Sequence, residues 1–196
     1  VKKAAEVGVS TGEVAFDIAK AVDRKDDVVK KLVGAVGQLL KGNGVTVING
    51  TGSIEAIGKV KVEKKDGTTE VIGAKIIIIA TGSEPAMIPA FKIDSENVIT
   101  STEALNLKKL PKSILIIGGG VMGCEFANIF AKFGSYVKIV ELLPTILSTE
   151  DKQVVRVIAK VFKDAGIEVY TEADVEGVEV TADGVKTRLK DGKEFL

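Results

Sequence analysis

The sequence predicts an α/β fold of two units in tandem, each pairing a nearly apolar strand with a β-meander. Three observations predict it. Residues 114–117 are an unbroken run of Ile and Leu that meets Gly118-x-Gly120-x-x-Gly123, after which apolar residues recur at helical spacing. Residues 45–72 and 175–196 break instead into short alternating segments. Asp-Gly pairs separate them at Asp66-Gly67, Asp183-Gly184 and Asp191-Gly192, the dipeptide that tight hairpins favour. Residues 76–80 form a second apolar run, and it also empties into a glycine turn, at Gly82.

Residues 1–12 are polar and punctuated by Gly8 and Gly12, an irregular lead-in. From 14 to 41, apolar residues such as Ile18, Val22, Val29, Leu32, Val36 and Leu39 recur at helical spacing. The charged break Asp23, Arg24, Lys25, Asp26, Asp27 predicts two helices, or one long helix with a disturbed middle, and Asp26 or Asp27 would cap the second. Gly42-Asn43-Gly44 ends the pattern. A short strand over 45–48 precedes the first meander (52–72), and residues 75–80 read as a fully buried strand. Residues 83–112 contain Pro85, Pro89 and Pro111, lack periodicity and read as a connector. After the glycine motif come an amphipathic helix over 151–164, a stop at Gly166 and a strand over 167–170. The second meander has strands over 175–180 and 185–189 and from 194 onward.

The chemistry is concentrated at the glycine motif. Strand 114–117, the glycines, a helix carrying Val121, Phe126, Ile129, Phe130 and Phe133, and strand 137–140 make a complete βαβ unit ending on Glu141. Gly118 permits the tight turn, Gly120 lets backbone approach a pyrophosphate, and Gly123 lets helix and strand pack closely. The helix N-terminus favours negative charge. Glu141 follows Gly118 by 23 positions, near where an acceptor of ribose hydroxyls is expected. The motif in this context reads as a dinucleotide site.

Composition narrows the class. The 27 basic and 27 acidic residues cancel, which points away from nucleic acid and anionic membranes. No apolar run reaches the length that spans a bilayer, and the start does not read as a signal peptide. One cysteine precludes an internal disulfide, which suits a reducing cytoplasm. With no histidine in the chain, no metal site is expected.

Four stretches carry a resemblance: Ile76-Ile-Ile-Ile-Ala-Thr-Gly-Ser-Glu-Pro, Ser101-Thr-Glu-Ala-Leu, Ile116-Ile-Gly-Gly-Gly-Val-Met-Gly-Cys-Glu-Phe and Val140-Glu-Leu-Leu-Pro. Together they resemble the flavoprotein disulfide reductases, most nearly the branch that reoxidises lipoamide, over essentially the whole chain. The resemblance implies two tandem Rossmann-like three-layer nucleotide-binding units, each with a β-meander, the first incomplete. Residues 1–84 would be a partial FAD-binding domain, and 85–196, with connector 85–112, an NAD-binding domain truncated at its end. It also implies an NAD-dependent oxidoreductase that oxidises protein-bound dihydrolipoamide, electrons passing through a redox disulfide and FAD to NAD. The whole enzyme would be a homodimer in 2-oxoacid dehydrogenase or glycine-cleavage complexes, with lipoyl domains as substrate.

By position, the resemblance places Ala80, Thr81 and Gly82 beside FAD and Gly52 near its adenine end. It places Gly118, Gly120 and Gly123 on the NAD pyrophosphate, Glu141 on the adenosine ribose, Glu125 near the nicotinamide and Val175 near the adenine. Plainer readings stand beside these. Glu125 also suits the positive end of a helix dipole, Val175 suits a core, and Thr81-Gly82 suits a strand-ending turn. The family's cysteine pair and its histidine–glutamate pair have no counterpart here, so no catalytic residue is assigned and the chain reads as an internal fragment. Cys124, alone between Gly123 and Glu125, reads as packing. Glu141, followed by Leu142, Leu143 and Pro144 with no basic residue, favours NAD over NADP. Two other readings remain open: an NAD(H)-binding module without catalysis, and another NADH-dependent disulfide, mercuric or coenzyme-A-linked reductase.

Overall fold

The computed structural model describes residues 6, 8–10, 12 and 15–196. Most of the predicted lead-in, and Val14 at the predicted start of the first helix, lie outside the described residues. The fold is α/β, with one parallel and two antiparallel three-stranded sheets among the described residues. The chain divides into two compact units, Arg24–Glu84 in one and Val1–Asp23 with Pro85–Leu196 in the other.

One continuous helix, α1 (Ile18–Gly42), replaces the predicted pair or disturbed helix. Asp17 opens it, its Oδ1 accepting from the N–H groups of Ala19 at 2.9 Å and Lys20 at 3.3 Å. Asp26 and Asp27 therefore lie within the helix rather than at a helix start. The charged stretch carries no Gly or Pro, and the Lys25–Asp26 pair at 2.6 Å sits along the helix surface, so nothing in it breaks the turn. The end falls where the glycines put it, with Gly44 at φ +70° and its N–H on the Lys41 carbonyl.

In the unit Arg24–Glu84, β1 (Thr51–Ala56), β2 (Lys59–Glu63) and β3 (Thr69–Gly73) form the predicted meander, in order β1-β2-β3. The Asp66-Gly67 turn closes β2 on β3: Gly67 takes φ +80° and Asp66 Oδ1 accepts from the Thr68 N–H and hydroxyl. Two predicted strands of this unit do not form. Residues 45–48 and 75–80 belong to no sheet, and Ile76, Ile78 and Ile79 are exposed rather than buried. Their β-branched composition suits a strand, but a ladder needs a neighbour to accept its hydrogen bonds, and the described residues offer none there. Helix α1 likewise leaves Val28, Leu32, Val33, Val36 and Leu39 exposed.

The other unit holds β4 (Ser113–Ile117), α3 (Val121–Phe133), β5 (Tyr136–Val140), α4 (Lys152–Asp164) and β6 (Glu168–Tyr170), preceded by the short helix α2 (Ser101–Ala104). β5 pairs in parallel with both β4 and β6, in register Ile116↔Ile139↔Val169. Alternation along these strands sends side chains to two faces. Ile114, Ile116, Val137, Ile139 and Val169 join Ala127 and Phe130 of α3 and Phe162 of α4 in one cluster. Leu115, Val140 and Tyr170 face the other way, toward Leu189 and Phe195 of the second meander. That meander comprises β7 (Val175–Thr181), β8 (Gly184–Leu189) and β9 (Glu194–Phe195). Helices, parallel sheet and meander are thus three layers, and the nearly unbroken apolar strands follow from covering the sheet on both faces. The connector is more ordered than its composition suggests. Asp94 folds its own loop by accepting from the N–H groups of Glu96, Asn97 and Val98, and Thr100 with Glu103 makes a capping box on α2.

Candidate dinucleotide-binding site

The site forms where β4 and β5 end. Gly118 leaves β4 at φ +106°, a conformation that disfavours a Cβ, while its N–H still reaches the Val140 carbonyl at 2.8 Å. Gly123 is glycine for a different reason. A Cβ there would stand 2.0 Å from the Gly118 carbonyl oxygen, so α3 can lie this close to the turn only without one. Gly120 caps α3 at φ −70° and ψ −176°, with no side chain capping the helix. Its backbone is one any residue adopts, and a Cβ on it would meet no protein atom within 4 Å. Neither strain nor packing calls for glycine at 120. What remains is space in front of the first turn of α3, where N–H groups lack intrahelical acceptors and the dipole is positive. These features fit a pyrophosphate.

Glu141 follows β5 beside that turn. Its Oε2 accepts from the Gly119 N–H at 2.6 Å and its Oε1 from the Leu143 N–H at 2.8 Å. Both oxygens are held in place, and each retains a lone pair for a further donor. The carboxylate is half-buried at the mouth of the turn, which fits a ribose diol.

Gly119, which the spacing rule treats as a free position, is the residue the sequence reading missed. It is buried; its N–H goes to Glu141, and its carbonyl accepts from the Leu147 N–H at 2.8 Å and from Cys124 Sγ at 3.3 Å. A Cβ on Gly119 would stand 2.6 Å from Ile146 Cγ2. Gly119 is the middle of three consecutive glycines, one more than the fingerprint asks for, and that extra glycine was the available signal.

The remaining predicted residues are placed as follows. Glu125 is exposed on α3 as its fifth residue, past the first turn rather than in it, where a dipole contribution fades. Val175 opens β7 opposite Leu189, half-buried against the cluster of Val140, Leu189 and Phe195. Cys124 is buried, and desolvation, then the charge of Glu141, pushes its thiol up to about 11, as suits packing. Gly52, Ala80, Thr81 and Gly82 lie in the unit Arg24–Glu84. Gly52, on β1, pairs with Val62 of β2; Ala80 and Thr81 are exposed and outside any strand; Gly82 turns at φ +76°. The structure brings together Gly118, Gly120, Gly123 and Glu141. Among the described residues no group of His, Cys, Asp and Glu could hold a metal, and no helix is long and apolar enough to cross a membrane.

The chain is similar to known proteins over nearly its whole length. The chain is 47% identical to the dihydrolipoyl dehydrogenase of Acholeplasma laidlawii, covering 99% of this chain and 57% of that protein. It is 42% identical to that of Chlorobaculum tepidum, over 93% of this chain and 39% of the relative. The chain therefore spans well under two thirds of the curated relatives it matches. Among solved structures, LpdA from Mycobacterium tuberculosis shares the fold with a TM-score of 0.90 at 24% identity, over 99% of this chain and 43% of that one. The HOCl-induced flavoprotein disulfide reductase RclA from Escherichia coli gives 0.80 at 30% identity, over 92% and 41%. The family described as pyridine nucleotide-disulphide oxidoreductase matches residues 2–196, and the chain belongs to it.

Proposed function

We propose that this chain supplies the NAD-binding part of a dihydrolipoyl dehydrogenase. The whole protein would oxidise protein-bound dihydrolipoamide to lipoamide, with electrons passing through a redox disulfide and FAD to NAD. The observation that carries the proposal is Gly120, glycine by demand of neither backbone nor packing, set beside a carboxylate with both oxygens fixed. NAD, when bound, accepts a hydride at its nicotinamide ring. The chain's own residues would position it: the Gly118 turn and the N-terminus of α3 would face the pyrophosphate, and Glu141 would accept from the adenosine ribose. By resemblance to the family, Glu125 would stand near the nicotinamide and Val175 near the adenine. The absence of any basic residue at 142–144 and the fixed carboxylate both oppose a 2′-phosphate, which favours NAD over NADP.

Two Rossmann-like nucleotide-binding domains are read along the chain, residues 1–84 as part of one for FAD and residues 85–196 as one for NAD. Ala80, Thr81, Gly82 and Gly52 would lie against FAD. By themselves they fall short of a flavin site, because none of them offers a charged group or a helix N-terminus to hold its pyrophosphate. The whole protein is read as a cytoplasmic homodimer working on lipoyl domains in 2-oxoacid dehydrogenase or glycine-cleavage complexes. Expression of the complete reading frame, assayed for dihydrolipoamide-dependent reduction of NAD, tests this. Robust turnover is expected. NAD binding without turnover would favour a binding module, and turnover only with another disulfide, mercuric or coenzyme-A-linked substrate would favour a different reductase.

A further inference from the structure

Gly119 touches three parts of the site at once. Its N–H fixes Glu141 Oε2 at 2.6 Å, and its carbonyl holds the Leu147 N–H at 2.8 Å. The space where its side chain would be is filled by Ile146, 2% exposed, whose Cγ2 lies 2.6 Å from a Cβ built there. Its φ is not in the left-handed range, so alanine would be excluded by space alone. The segment that folds back onto it begins with Leu143, whose N–H fixes the other oxygen of Glu141, and passes through Leu147 at φ +50°, a value non-glycine residues rarely take. Glu141 is thus gripped from both sides: from the turn after β4 and from the segment after β5.

We infer that Gly119, seated against Ile146, is a positioning residue that sets dinucleotide selectivity by locking the Glu141 carboxylate toward the ribose. The inference rests on the proposed role of Glu141. A locked carboxylate offers two acceptors to a ribose diol and cannot swing away from a 2′-phosphate, so the same lock strengthens NAD and penalises NADP. A freed carboxylate can rotate, losing bonds to the diol and relieving repulsion of the phosphate.

Calorimetric titration of the intact protein with NAD and NADP separately reads the lock as the ratio of the two dissociation constants. Gly119→Ala is expected to cut the preference for NAD by about tenfold, the worth of one charge-assisted hydrogen bond. In a Glu141→Ala background it should cut it no further, because the two act as one unit. Gly120→Ala should weaken both ligands alike and keep the ratio, as should any loss that is merely structural. If Gly119→Ala does not fold, Ile146→Ala, which empties the seat without adding bulk, is read in its place and should lower the ratio in the same direction. A ratio that Glu141→Ala collapses but the Gly119 and Ile146 variants leave intact overturns this inference alone. A ratio that Glu141→Ala leaves unchanged overturns the ribose role of Glu141 and this inference with it.

Discussion

Gly119 and Glu141 meet through one short hydrogen bond, N–H to Oε2 at 2.6 Å, which ties the turn after β4 to the acid that ends β5. The bond joins the two halves of the dinucleotide fingerprint within the protein. Protein N–H groups orient both oxygens of the acid, which lowers the entropy cost of ordering it on binding.

Glu141→Arg should invert selectivity. Replacing the carboxylate removes the acceptor for the ribose diol and supplies a partner for a 2′-phosphate, so NAD should weaken by about tenfold or more while NADP improves. Comparing the proposed turnover of the whole protein with NAD and with NADP checks it. An unchanged ratio would mean that Glu141 does not face the ribose.

The glycines should separate by variant. Gly123→Ala pushes a Cβ to 2.0 Å from the Gly118 carbonyl, and backbone cannot yield as a side-chain tip can. A cost of about 1–3 kcal/mol or more is expected, read as a lowered Tm. Gly120→Ala meets nothing and should cost about 1 kcal/mol or less, from its cap position, while weakening dinucleotide binding. Equal losses of stability in the two variants would contradict this division.

Much of this was legible in the sequence, and the exceptions have a physical pattern. The βαβ unit, α4 and the hairpin turns followed from periodicity, Gly and Asp-Gly, because each is dictated by local chemistry and by a sheet covered on both faces. Residues 75–80 read as a buried strand because Ile content reports what a segment would do with a neighbour, and pairing is not a local property. The continuity of α1 through Asp23 to Asp27 was misread because charges alone do not break a helix. Gly119 was invisible because a fingerprint marks where a ligand needs glycine, whereas Ile146, far along the chain, decides that this one must be glycine.

Cys124 should be inert. With its thiol pushed up to about 11, only about one molecule in a thousand carries thiolate at pH 8. Labelling of the native chain by a disulfide reagent should be slow and should accelerate as the pH approaches 11 or when the chain is unfolded. Because the folded value is raised above the usual 9.0, stability is unaffected by this group below pH 9 and falls as the pH climbs from there toward 11. Rapid native labelling at neutral pH would show that the thiol is accessible.

The exposed apolar residues of α1 and of 76–79 should make the isolated chain associate or remain locally labile. Sedimentation should show mass rising with concentration, or hydrogen exchange should be fast across 24–84. A monodisperse monomer with that segment fully protected would contradict the expectation.

The central claim is that Gly118, Gly120, Gly123 and Glu141 make an NAD site that this chain carries by itself. Titration calorimetry of the purified chain with NADH and, separately, FAD tests it most directly. Weak but saturable NADH binding, weakened further in Gly120→Ala, together with no stable FAD, is the result expected from a complete pyrophosphate cradle and an incomplete flavin site. A yellow protein that holds FAD tightly and shows no affinity for NADH would contradict it.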